Sequence, residues 1–277
     1  MKQETVSLNT IRAALAEAAP KIGRFEAGVL LAHVLGTTRE HLIAHDEEEL
    51  TEQQRMTFDL FVNSRLAGMP VPYLTGRQEF YGRYFAVNEH VLIPRPDTEV
   101  IVEQALIVAP KAPSVLDLGT GSGCIALTLA KECPGAKVTA TDVSEEALSV
   151  ARANAKALGA QADFRLGSWW SPVRDGEAFD VIVSNPPYIR AGDEHLGALS
   201  FEPQSALTDG GDGLSCLKEI ISGAMAHLKK GGWLLTEHGY DQGEDAAAMF
   251  REAGFAAVHT VKDYGGNDRV TLGRRAA

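Results

Sequence analysis

Cysteine is scarce in this chain, with Cys124, Cys133 and Cys216 the only three in 277 residues. Their odd number and their lack of metal-ligand spacing speak against a disulfide framework or a zinc-type cluster, and for free thiols in a reducing compartment. Long apolar runs are missing too. No stretch reaches the length of a membrane span, and the opening Met1 to Thr5 carries no apolar signal segment, so a cytoplasmic protein with no membrane partner is expected. Positive charge is in short supply, 26 Lys and Arg against 37 Asp and Glu, for a formal net charge of −11. Proteins that grip a nucleic-acid backbone normally present a basic face, so DNA or RNA is not expected as the main partner, although a local basic patch is compatible with a net acidic chain. Internal repeats and low-complexity segments are absent. What remains is a chain 45% hydrophobic and 23% charged. That balance is ordinary for a globular protein, and the length allows one large or two medium domains, each with its own core.

The most informative residues are Asn185-Pro186-Pro187-Tyr188. They follow Phe179 to Ser184, whose length and Val/Ile content predict a short buried strand. Two prolines stiffen the turn and remove two backbone donors. The carboxyl end of a parallel strand is where open α/β sheets place ligands. There the Asn185 side-chain oxygen and the Pro186 carbonyl could accept both hydrogens of one planar NH₂ group, with Tyr188 stacked on its plane. The other reading is a Pro-rich turn in which Asn185 is an incidental cap.

A second motif, Ser114 to Ala126, reads as an apolar strand, a glycine-rich turn and a helix start. Gly119, Gly121 and Gly123 allow a tight turn and close approach of a ligand to the backbone. The turn departs from the dinucleotide fingerprint GxGxxG and lacks the Lys-Ser/Thr ending of a phosphate-binding loop. About twenty residues on, the predicted strand Lys137 to Thr141 ends at Asp142, where a carboxylate can take both ribose hydroxyls of an adenosine. Alone, the pair fits NAD or S-adenosylmethionine; together with the Asn185 turn it points to S-adenosylmethionine and methyl transfer to nitrogen.

On these residues the chain resembles the PrmC/HemK family of peptide-chain release factor glutamine N5-methyltransferases. The matching stretches cover most of the length: Leu92 to Glu99 (Leu-Ile-Pro-Arg-Pro-Asp-Thr-Glu), Asp117 to Gly123, Asn185 to Tyr188, Phe201 to Leu207, Glu237-His238-Gly239, and Asp263 to Val270. Asn-Pro-Pro-Tyr alone is shared with enzymes acting on adenine or guanine amino groups; the first and last stretches are more specific to the glutamine enzymes. The resemblance implies a catalytic role for Asn185, Pro186 and Tyr188. It implies cofactor contacts from Gly119, Thr120, Gly121, Ser122, Gly123, Asp142, Asn185 and either Trp169 or Trp170. Each tryptophan is equally readable as a core aromatic. Substrate contacts are expected from Asn185, Pro186, Pro187, Tyr188 and Arg95, with no metal. The implied partner is a class 1 release factor, methylated at the glutamine of its Gly-Gly-Gln motif. Alternative functions are an N6-adenine or N2-guanine nucleic-acid methyltransferase using the same clamp, and a non-catalytic cofactor-binding protein. The latter would require damage to motifs that are intact here.

Three segments are expected: a helical substrate-recognition domain over 1–75, a β-hairpin linker over 76–93, and a Rossmann-like, mainly parallel α/β methyltransferase domain over 94–277. In the first, Ser7 or Asn9 is expected to cap a helix ending at Ala19 before Pro20. A second helix stops at Gly36, a third spans Arg39 to Ala44, and Thr51 with Gln54 forms a capping box. His41 and His45 could share a helix face, but no third ligand is apparent for a metal. Pro96 suits the first position of a helix, where Asp97 and Glu99 either complement its dipole or face the site. From there strands and helices alternate, closing on two successive strands that suggest an antiparallel hairpin. The segment Ile189 to Leu214 is long for a structureless connection and reads as a binding loop or as disorder.

Overall fold

The computed structural model describes residues 9–277. The chain divides into two compact units, Met1–Gly76 and Arg77–Ala277.

The first unit is helical: α1 (Ile11–Ile22), α2 (Arg24–Leu35), α3 (Arg39–Ala44), α4 (Glu52–Leu66) and the short α5 (Val71–Thr75). Ile11, Leu30, Leu31, Phe58 and Val62 are buried together as its core. Thr10, rather than Asn9, caps α1 by accepting from the Ala13 N–H, while Asn9 donates to the Leu50 carbonyl; Ser7 lies outside the described residues. Pro20 does not stop α1, which runs to Ile22, where the Gly23 N–H closes the end on the Ala19 carbonyl. The capping box of Thr51 and Gln54 is formed. Glu48 is brought beside His41 and His45, a third ligand-type group that sequence spacing did not reveal. The two imidazoles are stacked, with centroids 4.0 Å apart and planes 20° from parallel. Their in-plane lone pairs therefore run side by side instead of converging on one point.

The second unit begins with the hairpin β1 (Arg77–Phe80) and β2 (Arg83–Ala86). After the 3-10 turn Pro96–Thr98 come α6 (Glu99–Val108), β3 (Ser114–Leu118), α7 (Cys124–Glu132), β4 (Lys137–Asp142), α8 (Glu145–Leu158) and β5 (Asp163–Leu166). Then follow β6 (Phe179–Ser184), α9 (Ser215–His227), β7 (Leu228–Glu237), α10 (Gly243–Glu252), β8 (Ala256–Lys262) and β9 (Asp268–Arg274). The seven-stranded sheet has the order β5-β4-β3-β6-β7-β9-β8, parallel except where β9 pairs antiparallel with β7 and β8. Buried residues on its two faces form separate cores, one with α6 and α7, the other with α9 and α10. The hairpin is tied to α8 by Asn154, which is buried, exchanges hydrogen bonds with the Ala86 backbone and donates to the Ser122 carbonyl. Among the described residues no helix is long and apolar enough to cross a membrane.

Register makes the functional surface. Strand order runs outward in both directions from β3 and β6, so a crevice opens between their carboxyl ends. Leu118 pairs with Ser184 on one side and Thr141 on the other. The residues that follow, Gly119, Asn185 and Asp142 (the last of β4), therefore stand at one level at the carboxyl edge of the sheet.

Candidate active site

A cavity of about 400 Å³ lies over those strand ends, and Gly119, Gly121, Asp142, Trp169, Asn185 and Arg95 are among its walls. At one end the glycine turn adopts left-handed backbone angles that glycine takes without strain. Gly119, Gly121 and Gly123 have φ of 74°, 55° and 81°. They differ in what surrounds them. A Cβ on Gly123 would lie 3.0 Å from Leu127 and 3.2 Å from Ala151, so that glycine serves packing of α7 and α8. A Cβ on Gly121 would meet nothing within 4 Å, so the space beside it is open to a ligand. Asp142 closes the turn, its Oδ2 accepting from the Gly121 N–H at 2.8 Å and its Oδ1 from the Ser144 N–H at 3.0 Å. Each oxygen keeps a further lone pair for a diol.

Beneath the turn Asp117 is fully buried. Its Oδ2 accepts from the Thr120 hydroxyl at 2.6 Å, while its Oδ1 has no partner. Burial pushes this carboxyl up to about 7. Between about pH 4 and pH 7 the folded chain thus holds a proton that the unfolded chain releases, so this group makes stability fall as pH rises through that window. Asp117→Asn, which cannot titrate, is expected to lose less melting temperature than the parent between those pH values, measured by calorimetry; parallel curves would reject the burial argument.

At the other end Asn185 Nδ2 donates to the Thr98 hydroxyl at 3.2 Å. Its Oδ1 has no partner among the described residues and is not sealed from solvent. No described residue donates to the Pro186 carbonyl either. A carboxamide oxygen and a backbone carbonyl, neither with a donor among the described residues, stand one residue apart.

Residues 7–76 match the PrmC N-terminal domain and residues 98–262 the Methyltransferase small domain. The release factor glutamine methyltransferase of Neisseria gonorrhoeae (strain ATCC 700825 / FA 1090) is 49% identical over 257 residues, 92% of this chain and 94% of that protein. That of Bordetella pertussis (strain Tohama I / ATCC BAA-589 / NCTC 13251) is 47% identical over 258 residues, 92% and 96% of the two. The chain belongs to the release factor glutamine methyltransferase family. A solved methyltransferase from Pyrococcus furiosus, 19% identical over 82% of this chain and 100% of its own, superposes with a TM-score of 0.55 and shares the fold.

Within this family member the structure separates the two tryptophans. Trp169, at a positive φ of 40°, turns its ring over the glycine turn, 3.4 Å from where a Gly119 Cβ would stand. Trp170 does not line the cavity, so of the two it is Trp169 that stands where a ligand could meet it. Its ring stacks on His227 with centroids 5.0 Å apart, its Nε1 donates to the Glu219 carbonyl, and it fills the space above Gly223. Tyr188 is held through its hydroxyl, anchored on Glu237 Oε1 at 3.1 Å, and neither it nor the buried Pro186 lines the cavity, whereas Pro187 does. Burial and the Glu237 charge push the phenol up, so it remains a neutral donor.

Arg95 lines the cavity, paired with the buried Glu202, whose second oxygen accepts from the Ile93 N–H at 3.0 Å. Pro96 opens a 3-10 turn rather than a helix, and that turn sets Thr98 beside Asn185. The long segment after Tyr188 is neither disordered nor structureless. It holds 3-10 turns at Glu194–Gly197 and Gln204–Ala206, and Asp209 organises its end by accepting from the N–H groups of Gly211, Gly213 and Ser215. Pro203, Ser205 and Ala206, in the stretch that carries the family resemblance, line the cavity, and so do Thr208 and Asp209, which residue patterns did not single out. Thr98 and Glu237 were equally unmarked, although both lie in stretches that carry the family resemblance.

Proposed function

We propose that this protein transfers the methyl group of S-adenosylmethionine to the side-chain N5 of the glutamine in the Gly-Gly-Gln motif of class 1 peptide-chain release factors, in the cytoplasm. The observation that carries this reading is that the open Asn185 Oδ1 faces the same cavity as Asp142 and the unobstructed Gly121. The residues suit the cofactor: Asp142 for the ribose hydroxyls, the glycine turn for close backbone approach, Trp169 for an aromatic face, and Asp117 with an unpaired oxygen nearby. Bound there, S-adenosylmethionine supplies an electrophilic methyl carried on a sulfonium.

The chain's own task is positioning. A primary amide nitrogen is a weak nucleophile because its lone pair is delocalised into the carbonyl. Asn185 Oδ1 and the Pro186 carbonyl accept its two hydrogens, hold the nitrogen in one orientation and stabilise the positive charge that grows on it. The methylated nitrogen is then strongly acidic and loses its proton to water, so no enzyme base is needed. Arg95, fixed by Glu202, borders the entering peptide, and the helical unit is assigned to the body of the release factor. The net charge of −11 disfavours the nucleic-acid alternative.

Incubation with labelled S-adenosylmethionine, a release factor and total nucleic acid, followed by mass spectrometry, tests the assignment. A single methyl on the glutamine is expected; methyl on RNA or DNA with the glutamine unmodified would reject it. Removing residues 1–75 should impair methylation of the whole factor more than that of a short Gly-Gly-Gln peptide, and equal loss on both would reject the role given to the helical unit.

A further inference from the structure

Two walls of the cavity come from distant parts of the chain. Pro94, Arg95 and Thr98 belong to the segment before α6, and Pro203, Ser205 and Ala206 to the segment after β6. Glu202 joins them. It is 4% exposed; its Oε2 accepts from the Ile93 N–H at 3.0 Å and its Oε1 pairs with Arg95 Nη2. Among the described residues, the other hydrogen bonds of Gly192 to Ala206 reach only residues within four positions in sequence. This carboxylate is therefore the polar tie that fixes the segment to the opposite wall. Arg95 is half-buried and lines the cavity, and its Nε and Nη1 have no partner among the described residues.

A guanidinium carries five N–H donors in a rigid planar fork and no acceptor. With one edge on a buried carboxylate its positive charge is matched, so the donors left over suit an uncharged oxygen better than a second anion. Arg95 also stands three residues before Thr98, which accepts from Asn185, and so belongs to the clamp end of the cavity. We propose that Glu202 is a positioning residue for the acceptor peptide: it aims the open Arg95 donors at backbone carbonyls beside the glutamine and joins the two walls that flank the peptide. Glycines next to the glutamine leave those carbonyls unshielded by side chains. The proposal rests on the methyl-transfer reading above and names how the peptide backbone is gripped.

Steady-state kinetics of the full chain on a short Gly-Gly-Gln peptide test this. Arg95→Ala should raise KM for the peptide about tenfold, as expected for losing a hydrogen bond to a charged group. KM for S-adenosylmethionine should stay within about twofold, and kcat should fall less than the peptide KM rises. Glu202→Gln should raise the peptide KM about fivefold, because whichever way the new amide turns, either Ile93 or Arg95 faces its NH₂. In the double variant the peptide KM should match that of Arg95→Ala alone, since glutamine still accepts from Ile93 and has no guanidinium to aim. The double variant should also melt above Arg95→Ala, which leaves a buried carboxylate unpaired. If Arg95→Ala does not fold, Arg95→Lys, which keeps the charge but not the fork, should show the raised peptide KM in its place. A peptide KM at the parent value in the Arg95 variant, a rise confined to the S-adenosylmethionine KM, or losses that multiply in the double variant would overturn the proposal. An inactive parent enzyme would instead reject the functional reading on which it stands.

Discussion

Asn185→Ala is expected to remove nearly all methyl transfer while leaving S-adenosylmethionine binding close to that of the parent. The side chain is held by one bond, Nδ2 to Thr98, with Oδ1 open beside the cavity. Truncation leaves the strand end and the glycine turn in place, because Ser184 is independently anchored on the Leu118 carbonyl at 2.7 Å. Loss of one well-placed acceptor for charge developing in the transition state costs about a hundredfold or more in rate. Calorimetric titration with cofactor and single-turnover methylation separate the two effects. Turnover near that of the parent would remove the clamp from the mechanism.

Gly121→Val should instead act on the cofactor. The new side chain would enter the open space beside Gly121, and its backbone would be held at a φ of 55° that a β-branched residue rarely adopts. A steric overlap of about 3 kcal/mol weakens binding on the order of a hundredfold. Gly121→Ala shares the backbone strain but intrudes less, so it should lose stability similarly and affinity less. Unchanged calorimetric affinity in the valine variant would mean that the cofactor does not lie beside this turn.

Pattern carried a long way in this chain. Alternation of apolar strands with helical segments is a local property, and β3, β4, β5 and β6 stand where it placed them. The family resemblance read from the motif stretches agrees with relatives 47–49% identical over most of the chain. Local patterns failed where a few polar contacts do the work of an apolar face. The segment after Tyr188 is ordered by Asp209 and Glu202, each satisfying backbone groups distant in sequence or lying in a turn, and neither produces a periodicity. Pro20 misled because a proline removes only its own donor, and the residues after it carry α1 on to Ile22.

The sequence by itself determined the chemistry on offer, because a carboxamide between a strand and two prolines, three glycines in a turn and a carboxylate after the next strand are local facts. Only the tertiary structure decided which neighbours complete them. Trp169 and Trp170 are adjacent in the chain, yet one faces the cavity and the other packs on His227, a difference set by the backbone angle at Trp169. Thr98 and Asn185 lie 87 residues apart and meet only because the turn before α6 folds over the end of β6. The carboxamide of Asn185 is held by that meeting, since a hydrogen bond is set by partners and not by spacing.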